Sequence, residues 1–334
     1  MLKIDNLKRP QSETIILKEL PNLSTLTLEF SMESSSPSEE QELAVEDLFD
    51  KIIPPQSLED FTISGFFGRR FPNWMVSSPI EICVPILTKL VLNGINSCTQ
   101  LPQLGLLSEL RDLRMYYVTK VKKIGPEFFG TDINLTRFPF PKLEKLQISN
   151  FPELKEWSFG AQVEQNVSPR LKLLPCLRKL TISYCPLLKQ LPKGLKYSTV
   201  KFLEISGSRS LKLDDNLPPE IEKLSLINCE NLDKICCSPM LKTLYVDERY
   251  VEKWEALSCV EKLDSLQELS FTNFAIKSLP EWLLKLLQQR GLQNDSNDDF
   301  RLDLRCSNEI VQGCLKGGCN SNMVDHVSIY QEHY

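Results

Sequence analysis

The chain has 334 residues, 42% of them hydrophobic, and its 39 lysines and arginines against 44 acids give a formal net charge of −5. That balance supplies no general attraction to nucleic acid or to an anionic membrane surface, so neither is expected as a partner. The start of the chain has no basic stretch followed by an apolar run, and nowhere do eighteen apolar residues run together, so neither an export signal nor a membrane span is expected.

The first predicted strand lies in the phrase Leu20-Pro-Asn-Leu23-Ser-Thr-Leu26-Thr-Leu28. Its pattern, L-x-x-L-x-L with aliphatic or aromatic substitutes, occurs ten times, with the fourth position at Leu26, Phe61, Leu90, Leu113, Leu146, Leu180, Leu203, Leu224, Leu244 and Leu269. Each phrase alternates inward apolar and outward polar side chains over a short strand, and no single repeat can bury its apolar edge without neighbours. Successive steps are 35, 29, 23, 33, 34, 23, 21, 20 and 25 residues, so the short ones match leucine-rich repeats and the long ones carry insertions. The expected fold is α/β: a leucine-rich-repeat solenoid over residues 1–300, an irregular horseshoe with a parallel sheet on its concave face. Loops, turns and a few helices should form the convex face, and residues 301–334 a C-terminal closing segment.

After the first phrase, residues 31–50 hold seven acids and no bases. Residues 31–41 read as an acidic loop, because they carry too little apolar surface to pack. Leu43, Val45, Leu48, Phe49 and Ile52 approximate helical spacing, which predicts a convex-side helix over 42–52, stopped by Pro54 and Pro55. Phe71 and Trp74 then read as filler between unequal turns, not as a ligand-binding aromatic pair. Longer connections at 120–140, 150–173 and 248–263 predict bulges from the convex side. Between Leu177 and Val246 the repeats are too short for full helices, so turns and 3₁₀ pieces are expected there. A helix over 279–288, a strand with Phe300, Leu302 and Leu304 alternating, and a closing strand over 324–330 complete the chain.

Chemistry is scarce. The histidines, His326 and His333, lie near the C-terminus, so no Ser-His-Asp or Cys-His arrangement can form within the repeats, and no phosphate-cradling loop is present. No catalysis, cofactor or metal is expected; Cys306, Cys314, Cys319 and His326 lack the paired spacing of common zinc sites. The eleven cysteines are odd in number and scattered, which fits reduced thiols in the cytoplasm, with Cys185 and Cys229 as packing groups at the ninth repeat position. Four N-x-S/T sequons begin at Asn22, Asn134, Asn166 and Asn294; without an export signal they read as unglycosylated, and an extracellular reading rests on them alone.

Four stretches carry a resemblance: R-F-P-N-W-M at 70–75, C-T-Q-L-P-Q-L-G-L-L at 98–107, K-K-I-G-P-E-F-F-G at 122–130 and F-P-K-L-E-K-L at 140–146. With L-R-K-L-T-I-S-Y-C-P-L-L-K-Q-L-P at 177–192, they make the chain similar to the repeat region of plant nucleotide-binding leucine-rich-repeat disease resistance proteins of the coiled-coil subclass. The resemblance implies a role in plant innate immunity, in autoinhibition and in effector recognition, with a nucleotide-switch domain, a pathogen effector or a guarded host protein as partner. It also implies a truncated form, since the family's coiled-coil and switch domains would precede Met1. The alternative is a substrate-recruiting repeat subunit of a ubiquitin ligase, disfavoured because about twenty residues before the first repeat are too few for an adaptor-binding domain.

The expected working surface is the polar side of the strands. Lys89, Lys145, Lys179, Phe202 and Lys223 fall at position three, Arg111, Arg178, Lys201 and Lys242 at position two, and Arg114 and Tyr245 at position five. With Tyr116, Tyr117 and Tyr184, these form a basic, aromatic-studded band expected to dock protein.

Overall fold

In a computed structural model, the residues described are 1–7, 17–31, 37–76, 80–130, 138–160, 173–213, 217–229, 238–247, 255–272, 281–291, 300–305 and 327–329. The strands are β1 (Leu2–Leu7), β2 (Thr25–Phe30), β3 (Asp60–Ser64), β4 (Lys89–Ile95), β5 (Asp112–Val118), β6 (Lys123–Ile124), β7 (Lys145–Ser149), β8 (Glu156–Trp157), β9 (Lys179–Ser183), β10 (Phe202–Ser206), β11 (Lys223–Ile227), β12 (Thr243–Asp247), β13 (Glu268–Thr272), β14 (Arg301–Arg305) and β15 (Val327–Ile329). All but β6 and β8 join one 13-stranded sheet in chain order, every pair parallel. This is the stacked-repeat solenoid. The ten phrases supply β2 to β13 of that sheet; β14 and β15 fall where strands are expected at 300–304 and 324–330. β1 is additional. In it Leu2 pairs with Leu26, so the phrase's first position would fall before residue 1 and the pattern is incomplete.

Register explains why the strands align. Position four of each repeat pairs with position four of the next, from Leu26 with Phe61 to Leu244 with Leu269. Across these ten repeats positions four and six are at most 1% exposed. Burying each such side chain contributes roughly 1.5–3 kcal/mol, and a one-residue slip would turn the row outward. Position nine completes the core: Phe66, Ile95, Val118, Phe151, Cys185, Ser208 and Cys229 are all buried. Cys185 and Cys229 are packing thiols there; their Sγ atoms lie 3.5 Å from the carbonyls of Ser183 and Ile227. Burial pushes the Cys185 thiol up to about 12, so it stays protonated.

The convex side divides by repeat length. Helix α1 (Glu39–Lys51) begins inside the stretch 31–41 read as a loop, because Ser38 and Gln41 form a capping box: the Ser38 amide donates to Gln41 Oε1 at 2.9 Å and the Gln41 amide to Ser38 Oγ at 3.3 Å. Acids at its start suit the helix dipole. Val45, Leu48 and Phe49 face inward, and Phe49 meets Phe30, Phe66 and Trp74 at centroid distances of 5.2, 5.1 and 6.0 Å. Phe71 packs on Phe66, so Phe71 and Trp74 are core filler as expected. Arg69 and Arg70 clamp the helix from outside, with Arg70 Nε 3.0 Å from Glu46 Oε2 and its Nη2 2.9 Å from Asp50 Oδ2.

A second aromatic group fills the next wide turns. Phe128 and Phe129 of the short helix α2 (Pro126–Phe129) pack with Phe140 and Phe159; Phe129 and Phe159 lie 4.5 Å apart. Strands β6 and β8 pair in a small second sheet that ties the connections after β5 and β7 together. The 3₁₀ turn Leu104–Leu106 abuts α2, and the Gly105 carbonyl accepts the Phe140 amide at 2.9 Å. Three of the stretches carrying the resemblance, at 98–107, 122–130 and 140–146, therefore meet in one buttress. Among the described residues between 177 and 246, the only helical piece is the 3₁₀ turn Lys193–Tyr197, as short repeats require. Late in the chain α3 (Glu281–Gly291) follows the predicted 279–288, shifted by two to three residues. Residues 32–36 of the expected acidic loop, Cys306, Cys314, Cys319 and His326, and three of the four sequons lie outside the described residues; Asn22 is exposed in a turn.

Candidate protein-binding face

The parallel register sets the outward columns. Position three runs Thr25, Asp60, Lys89, Asp112, Lys145, Lys179, Phe202, Lys223, Thr243 and Glu268 on successive strands, and position five runs Thr27, Thr62, Val91, Arg114, Gln147, Thr181, Glu204, Ser225, Tyr245 and Ser270. Arg111, Arg178, Lys201 and Lys242 immediately precede their strands and donate their amides to the preceding repeat, aligning position two as well.

Much of the basic band is neutralised from within. Lys89 Nζ lies 2.8 Å from Asp60 Oδ2, and Arg111 Nη1 2.6 Å from Glu144 Oε1. Arg114 holds Asp112 through two bonds, Nε to Oδ1 at 2.9 Å and Nη2 to Oδ2 at 2.7 Å. Lys201 and Lys242 share Glu222, at 2.6 and 3.0 Å, and their hydrogen bonds hold its carboxyl below the usual carboxylate range. Tyr116 is engaged too, its hydroxyl donating to Gln147 Oε1 at 2.9 Å. The Tyr245 hydroxyl donates to Asp247 Oδ2 at 3.5 Å.

Four bases remain. Lys145, Arg178, Lys179 and Lys223 are exposed and make no ion pair among the described residues. Lys145 and Lys179 stand directly opposite each other on β7 and β9, an arrangement in which like charges destabilise a sheet. Phe202, 43% exposed, lies on β10 between Lys179 and Lys223.

Position eight holds a signal that the charge columns do not. Asn6, Gly65, Gly94, Tyr117, Asn150, Tyr184, Gly207 and Asn228 all occupy it, and all have positive φ, between 51° and 70°. The left-handed turn leads each strand off the sheet. Glycine and asparagine accept it readily, whereas a bulky residue is strained there. Tyr117 and Tyr184 nevertheless occupy it, 56% and 58% exposed, and the Tyr184 ring covers the Cα of Gly207 in the next repeat. The sequence shows the position through its glycines and asparagines, and strain at exposed aromatics is the kind that accompanies binding sites. Tyr117→Asn is expected to raise stability by about 0.5–1 kcal/mol, read from the denaturant midpoint; a drop would show that the tyrosine ring contributes packing that outweighs the strain.

Among the described residues no group of three or more His, Cys, Asp or Glu could hold a metal ion, and no helix is long and apolar enough to cross a membrane.

Residues 1–118 match the family described as R13L1/DRL21 LRRs. An Arabidopsis thaliana protein named as a disease resistance protein is 30% identical over 190 residues, 55% of this chain and 12% of that protein. An RPP13-like disease resistance protein of the same plant is 33% identical over 143 residues, 42% of this chain and 13% of that protein. The disease resistance protein RGA2 of Solanum bulbocastanum is 26% identical over 246 residues, 70% of this chain and 23% of that protein. The matched part is thus between about an eighth and a quarter of these relatives.

Proposed function

We propose that this array, a leucine-rich-repeat region of the plant disease resistance type, is a non-catalytic, cytoplasmic scaffold of innate immunity that binds protein through its concave sheet face. The observation that carries the reading is the column of bases that make no ion pair among the described residues, Lys145, Lys179 and Lys223, with Arg178 beside it. Exposed like charges stacked on neighbouring strands cost stability, and an acidic partner surface removes that cost while it supplies affinity. The nucleotide-switch domain of a resistance protein, an effector or a guarded host protein all fit as carriers of such a surface. Tyr117, Tyr184 and Phe202 add the aromatic area that interfaces use as anchors.

Glutamate at Lys145, Lys179 or Lys223 is expected to weaken capture of the nucleotide-binding half of a coiled-coil resistance protein by about three- to tenfold per site and to flatten its salt dependence. Lys89→Gln, which removes a base already paired with Asp60, should leave capture as it was. Unchanged affinity in all three reversals would overturn the concave-face reading.

A further inference from the structure

Resting on that reading, we infer that the patch over β7 to β11 recognises an extended acidic segment of the pattern acid-x-apolar-x-acid, laid across the strands. Strand neighbours in a parallel sheet are about 4.8 Å apart, so the register of Lys145, Lys179, Phe202 and Lys223 sets a ruler of four positions, each one step from the next. A carboxylate centred between Lys145 and Lys179 lies about one and a half steps, or roughly 7 Å, from Phe202, and Lys223 lies one step beyond. An extended chain presents every second side chain on one face, roughly 6.7 Å apart. The lysine stems absorb the small mismatch. The first acid relieves the repulsion between Lys145 and Lys179, the apolar residue covers the exposed Phe202 ring, and the second acid meets Lys223.

The surroundings favour this one occupant. Position two flanks the ruler with Arg178, which makes no ion pair among the described residues, and with Lys201 and Lys242, which share the single carboxylate of Glu222. Glu144 is held by Arg111. Glu204, at position five of β10, makes no ion pair among the described residues and restricts a second acidic strand from settling further along the face. Position five otherwise offers only Gln147, Thr181 and Ser225 in this stretch, short polar groups over which a chain can lie flat.

The test uses the purified full chain and a fluorescein-labelled peptide, Ser-Ser-Glu-Ser-Leu-Ser-Glu-Ser-Ser, followed by anisotropy, with a permuted peptide of the same composition whose two glutamates are adjacent. Binding of the patterned peptide about fivefold or more tighter than the permuted one is expected. Lys145→Glu combined with Lys179→Glu should weaken it by about tenfold, and Phe202→Ser should erase the preference for the patterned peptide. Circular dichroism of each variant separates lost binding from lost fold. Equal binding of the two peptides, or none by either, overturns the spaced-motif inference. If the same lysine reversals still release the nucleotide-binding half in the capture experiment, the concave-face reading stands without it; if they do not, both fall.

Discussion

Gly105→Ala is expected to destabilise the repeats around β5 and β7 by about 3 kcal/mol. A Cβ at this position would overlap the Phe129 backbone, lying 2.6 Å from its carbonyl carbon and 2.7 Å from its Cα, with the carbonyl oxygen closer still. Backbone cannot swing aside as a side chain tip can, so either α2 or the turn Leu104–Leu106 must move. The turn is also tethered, since the Gly105 carbonyl accepts the Phe140 amide. A shift there breaks a buried hydrogen bond and opens the cluster of Phe128, Phe129, Phe140 and Phe159. Because each repeat touches chiefly its neighbours, the damage should be local: amide exchange should accelerate in β5 and β7 and stay unchanged in β11 and β12. Gly94→Ala is the contrast. Its φ is +67°, yet its Cβ would approach Gly65 atoms no closer than 3.3 Å, so it should cost about 1 kcal/mol from backbone strain alone. Equal costs for the two substitutions would show that the close approach at Gly105 is relieved by a slight adjustment.

The strands were legible because their period is strict. Register then follows, since any slip would turn Leu90, Leu113 and Leu146 to solvent together. The convex side was less legible for an opposite reason. Helix α1 starts at Glu39 and not at Glu42 because its boundary is set by the Ser38 and Gln41 cap, which apolar spacing does not encode. The aromatic residues announced filler, but not that the 98–107, 122–130 and 140–146 stretches meet, which depends on backbone contacts between turns far apart in sequence. On the concave face the columns could be written down from the phrase alone. What could not be written was their charge balance, because Arg111 and Glu144, or Lys201 and Glu222, become partners only when their strands lie side by side. That pairing narrows fourteen expected contact residues towards Lys145, Arg178, Lys179, Phe202, Lys223, Tyr117 and Tyr184. Tyr117, part of the expected band, is further marked by a left-handed backbone that no charge or hydrophobic pattern reveals.

Phe49→Ala should be costlier still, at about 4 kcal/mol. The ring is fully buried and is the meeting point of the first aromatic cluster: Phe30 on β2, Phe66 after β3 and Trp74 all lie within 6.0 Å of it. Truncation opens a cavity lined by three rigid rings that cannot collapse to fill it, which places the loss towards the upper part of the range for aromatic truncation. Helix α1 then keeps the smaller apolar contacts of Val45 and Leu48 and leans more heavily on the charged clamp of Arg69 and Arg70 on Glu42, Glu46 and Asp50. With the largest apolar contact gone the helix should become more salt-sensitive, because ion pairs at partly exposed arginines are screened. Amide exchange of residues 39–51 should therefore rise steeply between low and high salt in Phe49→Ala and only slightly in the parent chain. Leu43→Ala provides the internal comparison, since Leu43 is 57% exposed on the same helix and its removal should cost less than about 0.5 kcal/mol. If the salt response is the same in both variants, the helix is held by its cap and backbone and not by the division of labour between ring and clamp.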